Sequence, residues 1–151
     1  MLTAIIVAAG SSKRAGFDKL LAKIANRPVI HHTLDAFEKA TCVNEVLVVS
    51  RETVAMRHFI VKTNLRKVRR VVRGGVRRQD SVRAGLRALD NEVEFVAVHD
   101  AARPLITASE IERVFAAARK HGAAALATPI TETLKLADAN YVVSGAIDRQ
   151  N

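Results

Sequence analysis

The chain has 151 residues, 49% of them hydrophobic and 26% charged, with 24 Lys and Arg against 15 Asp and Glu for a net charge of +9. That suits one domain with a real core, and excludes both a disordered chain and two comfortable domains. No apolar run approaches membrane-spanning length, Met1–Ala9 lacks a basic leader, and Cys42 is the only cysteine, so the expected setting is the cytoplasm.

Leu2–Ala8 reads as a buried first strand. It empties directly into Ala8-Ala9-Gly10-Ser11-Ser12-Lys13-Arg14, with Lys19 close behind. Small residues after a strand let backbone N–H groups approach a ligand, and the cations then face the same space, as a polyphosphate requires. The loop lacks the Gly-Lys-Ser/Thr of a Walker A loop, and Gly10 and Gly16 are wrongly spaced for a dinucleotide fingerprint. A plain strand-to-helix turn is the competing reading.

Pro28 stands where a first helical turn tolerates it, followed by Ile30, Leu34 and Phe37 on one face. Val46–Ser50 is a second strand, residues 53–64 form a helix, and Val68–Arg73 is a third strand. A helix over Asp80–Leu89 carries Val82, Leu86 and Leu89 at helical spacing. Phe95–His99 is a fourth strand. Thr107 to Glu110 then forms a capping box, ahead of a buried stripe of Ile111, Val114, Phe115 and Ala118, and Gly122 stops that helix. Ala123–Thr128 reads as a fifth strand. Beyond it, Thr133–Ala137 and Tyr141–Ile147 flank Asp138-Ala139-Asn140 as a hairpin.

Apolar strands alternating with helices predict a single α/β domain over residues 1–151, Rossmann-like, with a mostly parallel sheet covered on both faces. A hairpin arm over residues 130–149 protrudes from it. Ligands of such sheets collect at the carboxyl ends of the strands, where loops 9–19, 74–81 and 100–104 fall.

Gly74-Gly75-Val76-Arg77-Arg78-Gln79-Asp80-Ser81-Val82 joins paired glycines to cations and a helix start. The glycines allow close approach to a flat ligand, and Asp80 or Ser81 either caps the helix or bonds to a base or sugar. His99-Asp100-Ala101-Ala102-Arg103-Pro104 places an acid and a cation three apart at a strand end. Asp100 suits a divalent metal or a hydroxyl and Arg103 a phosphate, while an Asp–Arg pair that ties a loop is the alternative. His99 orders that loop, and the other histidines have no metal-ligand spacing. The basic excess between Lys62 and Arg87 suits an anionic partner or a solvated face. One Tyr, five Phe and no Trp disfavour nucleic acid.

Taken together, A-A-G-S-S-K-R at 8–14, Lys19, G-G-V-R-R-Q-D-S-V at 74–82 and V-H-D-A-A-R-P at 98–104 resemble the 2-C-methyl-D-erythritol 4-phosphate cytidylyltransferases. The resemblance runs through the whole chain and implies a nucleotide-diphospho-sugar transferase type of fold. It implies that Arg14 and Lys19 face the triphosphate and its transition state, and that Ala8, Ala9, Gly10 and Ser11 line the phosphates. Gly75, Asp80 and Ser81 would read cytosine and ribose, with Asp100 and Arg103 beside a Mg²⁺ ion and the sugar phosphate. The hairpin would be a homodimer arm that carries Thr133 and Arg149 to a neighbouring subunit. Ser12, Ala15 and Leu20 depart from the family pattern, and family members continue beyond the point matching Asn151 through a further strand and helix. A cytidylyltransferase for another polyol phosphate, such as ribitol 5-phosphate, shares these motifs. A non-catalytic nucleotide- or RNA-binding module is the reading from another class.

Overall fold

The computed structural model describes residues 1–10 and 16–148. In chain order its elements are β1 (Leu2–Ala8), β2 (Lys23–Ile24), β3 (Arg27–Pro28), α1 (Val29–Lys39), β4 (Glu45–Ser50) and α2 (Thr53–Val61). They continue with β5 (Val68–Arg73), α3 (Arg78–Arg87), β6 (Phe95–Asp100), α4 (Ala108–His121), β7 (Lys135–Ala137) and β8 (Val143–Ala146).

Four strands form one parallel sheet in the order β5-β4-β1-β6. Thr3, Ile5, Ile6 and Val7 make β1 rich in β-branched residues, which suits the centre of a sheet covered on both sides. Ile5 lies opposite Leu47 on one side and Val98 on the other. Alternation then sorts the core. Ala4, Ile6, Val46 and Val48 join Ile30, Leu34 and Phe37 of α1, Met56 of α2 and Ile111 of α4. Ile5, Leu47 and Val49 look the other way, toward Ala88 and Leu89 at the end of α3. The expected architecture holds, with three helices on one face and α3 on the other.

Helix α3 departs from its predicted stripe. Its buried residues are Ser81 and Gly85, whereas Leu86 is 47% exposed. The helix lies so close to the sheet that a β-carbon on Gly85 would stand 2.7 Å from Ile5 Cγ2. Only small residues fit underneath, and the larger ones are pushed to the flanks. The α2 helix stops at Val61 rather than Asn64, where Thr63 Oγ1 donates to the Ile60 carbonyl at 2.7 Å.

The predicted strand over Ala123–Thr128 does not form: the segment is exposed and unpaired. A strand needs a neighbour for its backbone groups, and between this segment and β6 lies a groove of about 930 Å³ instead. That groove leaves Val114, Phe115 and Ala118 of α4 half-buried, where the sequence pattern predicts a buried stripe. Among the described residues it also leaves β6 as an edge. The Phe95 and Ala101 amides donate to the β1 side, at 3.1 Å to Met1 O and 3.0 Å to Val7 O. By the two-residue period of a strand, the Val96, Val98 and Asp100 amides therefore face the open side.

Gly122, at φ 86°, ends α4 as expected. The hairpin forms as a short β7–β8 ribbon, and Asp138 Oδ1 closes its turn by accepting from the Asn140 and Val142 amides at 2.8 and 2.9 Å. From Gly122 to Asp148 only Leu134 and Gly145 are even half-buried. No helix among the described residues is long and apolar enough to cross a membrane.

Candidate functional site

Three loops meet at the carboxyl end of the sheet. The first leaves β1 through Ala8 and Ala9, each 5% exposed, and reaches the exposed Gly10. Ser11 and Arg14 lie outside the described residues. Lys19 is exposed in the turn Asp18–Ala22, which is closed by the Ala22 amide on Asp18 O at 3.1 Å and by the Leu20 amide on Asp18 Oδ1 at 2.9 Å.

The second loop follows β5. The Gly74 amide donates to Ser50 O at 3.0 Å, and a β-carbon on Gly74 would stand 2.4 Å from Ala9 Cβ. The Gly74 backbone thus packs directly against the Ala9 side chain, which joins the first two loops. The Gly75 amide donates to Ser81 Oγ at 3.1 Å, so the buried hydroxyl holds the loop against its own helix.

Neither Asp80 nor Ser81 is the N-cap of α3, as the sequence suggested. That place belongs to Arg77, and Asp80 closes a capping box from the third helical position. Its Oδ2 accepts the Arg77 amide at 3.2 Å, while the Arg77 guanidinium grips both oxygens at 3.0 Å. The guanidinium first, and the amide second, hold the Asp80 carboxyl below the ordinary aspartate range. A guanidinium cannot accept an amide as a serine or threonine cap does, so the acid alone closes this helix start, reaching back to the Arg77 amide while the Arg77 side chain reaches forward to it.

The third loop follows β6. The Ala101 amide continues the ladder to Val7 O, and its carbonyl accepts Thr33 Oγ1 from α1 at 2.9 Å. The Arg103 amide donates to Asp100 O at 3.0 Å, which closes the turn. His99 Nε2 stands 3.1 Å from the Arg103 carbonyl, so that nitrogen carries the proton, and the ring packs against Phe37 with centroids 5.2 Å apart. Burial holds the imidazole below the ordinary histidine pKa. The loop-ordering role expected of His99 is what the structure shows.

Asp100 joins two guanidinium groups. Arg78 Nε donates to Oδ1 at 2.8 Å, and Arg103 Nε lies 3.1 Å from Oδ2. Arg78 escaped the sequence reading. It sits beside Arg77 in the same motif, and nothing in a linear pattern says which of two adjacent arginines turns toward Asp100.

The structure therefore brings together Ala8, Ala9, Gly75, Ser81, Asp100 and Arg103, with Asp80 committed to the start of α3. Thr133 is exposed on the segment leading into β7, and among the described residues no hydrogen bond or ion pair joins it to the three loops. Arg149 lies outside the described residues. No group of three or more His, Cys, Asp and Glu side chains capable of holding a metal occurs among the described residues. Magnesium at nucleotide sites takes one or two carboxylates and completes its shell with phosphate oxygens and water. Asp100, 25% exposed at a strand end, fits that limited role if one guanidinium yields an oxygen.

The site is a cation-rich rim over glycine and alanine backbone. It can bind and align phosphates, and among the described residues it shows no nucleophile–base pair. The family model described as 2-C-methyl-D-erythritol 4-phosphate cytidylyltransferase matches residues 2–151. Curated proteins of that name are similar: one from Alkaliphilus metalliredigens is 38% identical over 154 residues, covering 99% of this chain and 64% of the relative. Another, from Desulforamulus reducens, is 42% identical over 149 residues, covering 95% and 64%. The crystal structure of 4-diphosphocytidyl-2C-methyl-D-erythritol synthase from Anaerococcus prevotii superposes with a TM-score of 0.84 at 29% identity, covering 99% of this chain and 65% of that one. The chain spans about two thirds of the length of these relatives.

Proposed function

Because the chain belongs to the 2-C-methyl-D-erythritol 4-phosphate cytidylyltransferase family, we propose that it transfers a cytidylyl group from CTP to 2-C-methyl-D-erythritol 4-phosphate. The products are 4-diphosphocytidyl-2-C-methyl-D-erythritol and pyrophosphate. A phosphate monoester is an anion at neutral pH, so its oxygen attacks the α-phosphorus without a general base. One P–O bond forms, and the bond from the α-phosphorus to the bridging oxygen breaks.

The obstacle is repulsion between anions, and fixed positive charge lowers it. Backbone at Ala8–Gly10 approaches the triphosphate, and Lys19 meets the charge that grows on the α-phosphate. Gly75 and Ser81 would read the base and ribose, Gly75 from the second loop and Ser81 from the start of α3 that Asp80 fixes. A Mg²⁺ ion arriving with the nucleotide would be held by Asp100 and would neutralise phosphate charge. The arm would pair two copies and present Thr133 and Arg149 to the partner's site, as its exposed Leu136, Val142 and Val143 favour. A lone cysteine suits the reducing cytoplasm.

The observation that carries this reading is the convergence of three motif loops, locked by the Gly74–Ala9 approach and the Arg78–Asp100 bond. The test is pyrophosphate release from CTP with each acceptor in turn. Release with methylerythritol phosphate supports the assignment. Release with ribitol 5-phosphate alone moves it to another polyol, and RNA binding with no release from any acceptor removes it.

A further inference from the structure

We propose that Arg78 binds the acceptor's phosphate, forming with Arg103 a two-guanidinium clamp that Asp100 assembles; this rests on the transfer reaction proposed above. Both arginines meet Asp100 through Nε alone. Among the described residues neither has another side-chain hydrogen bond or ion pair, so the forked ends with their two NH₂ groups remain available. Those ends are the part of arginine that matches a phosphate in two parallel hydrogen bonds. Two guanidinium groups around one carboxylate leave a net charge of +1, where a tie between Asp100 and Arg103 would have been neutral.

A purely structural role does not account for Arg78. The third loop is already closed by the Arg103 amide on Asp100 O, by His99 on the Arg103 carbonyl and by Thr33 on the Ala101 carbonyl. Arg78 comes from a different element, the first turn of α3, and its side chain is 59% exposed. It links the nucleotide-side glycines to the end of β6. The clamp thus lies at the β6 end of the sheet, across β1 and β4 from β5. In-line displacement needs the attacking monoester held apart from the departing pyrophosphate. A second cationic centre on this flank meets that need.

The experiment compares Arg78→Met, Arg78→Lys and Arg103→Met with the parent protein. Arg78→Met should raise the KM for methylerythritol phosphate about tenfold or more and leave the KM for CTP within about twofold, with Arg78→Lys between. The exposure of Arg78 predicts unchanged melting, and the lysine variant serves if the methionine variant fails to fold. A second readout needs no turnover: the arginine Nε–H resonances, followed by NMR while methylerythritol phosphate or inorganic phosphate is added without CTP. The Arg78 and Arg103 signals should shift together and saturate. A raised KM for CTP with an unchanged acceptor KM overturns the clamp, as do resonances indifferent to both phosphates. If the resonances respond to phosphate but no CTP is consumed with any acceptor, the clamp stands and the transfer reaction falls.

Discussion

Gly74 and Ala9 stand so close that a β-carbon on the glycine would lie 2.4 Å from the alanine's own, with Ser81 Oγ at 2.8 Å and Val49 Cγ1 at 3.2 Å. Two loops from strands separated by β4 are thereby pressed into one surface. Gly74→Ala must push either the β1 loop or the α3 start outward. Overpacking of this kind costs about 1–3 kcal/mol. Urea denaturation should show that loss, and the KM for CTP should rise with it; a variant matching the parent in both would mean that the loops are not in contact.

Gly85→Ala pits two effects against each other. Alanine improves helix propensity by about 1 kcal/mol over glycine. The added methyl would meet Ile5 Cγ2 at 2.7 Å, in the middle of a two-sided core. Because Ile5 is held on every side, the clash wins and the variant should unfold at lower urea. A stabilised variant would show that α3 can lift off the sheet at little cost.

Lys19→Ala should lower kcat far more than it weakens CTP binding, since a positive charge counts most as the α-phosphate gains charge. Removing one such electrostatic group costs about 2–4 kcal/mol of transition-state stabilisation. An unchanged kcat would make Lys19 a surface residue.

CTP should be preferred over UTP in kcat/KM, because cytosine offers an amino donor where uracil offers a carbonyl. Competition between the two nucleotides at limiting concentration measures the ratio directly. Equal use would remove the base-reading role of Gly75 and Ser81.

The Glu112 carboxylate ties α4 to the turn after α1, accepting the Thr41 hydroxyl at 2.7 Å and the Thr41 amide at 2.9 Å. These bonds, the hydroxyl first, hold its pKa below the ordinary glutamate value. A carboxyl depressed in the folded state contributes stability above its unfolded pKa, which is lost as pH falls through the folded one. The window therefore opens near pH 4–5 and extends downward. Between pH 5 and pH 3, Glu112→Gln should lose less stability than the parent, measured by urea midpoints at each pH. Parallel losses would place the acid sensitivity elsewhere.

Much of this geometry is legible in the sequence because it depends on backbone chemistry. Gly74-Gly75 announces a close approach, and Thr107 with Glu110 announces a helix start. Apolar runs at Leu2–Ala8 and Val46–Ser50 can hardly be anything but central strands. What escapes depends on neighbours. Ala123–Thr128 has strand composition, but composition does not say whether a partner lies alongside. The buried face of α3 escapes because hydrophobic periodicity weighs Val82 and Leu86 and ignores Ser81 and Gly85, the residues small enough to go inside. Arg77 and Arg78 are equivalent on paper and part company only when the first caps a helix and the second reaches across to β6.

Among the described residues no strand lies along the outer flank of β6, which makes the sheet a template as well as a support. Val96 and Val98 are 37% and 41% exposed there, and between them and Asp100 the strand has no proline or bulge to turn another strand away. Anything extended and apolar that passes will be offered a ladder, whether from a cellular protein or from a half-folded copy of this one. Yield on refolding should therefore fall as concentration rises, and a lysine in place of Val98 should recover it. The edge that carries Asp100 into the site is thus also an edge open to mispairing.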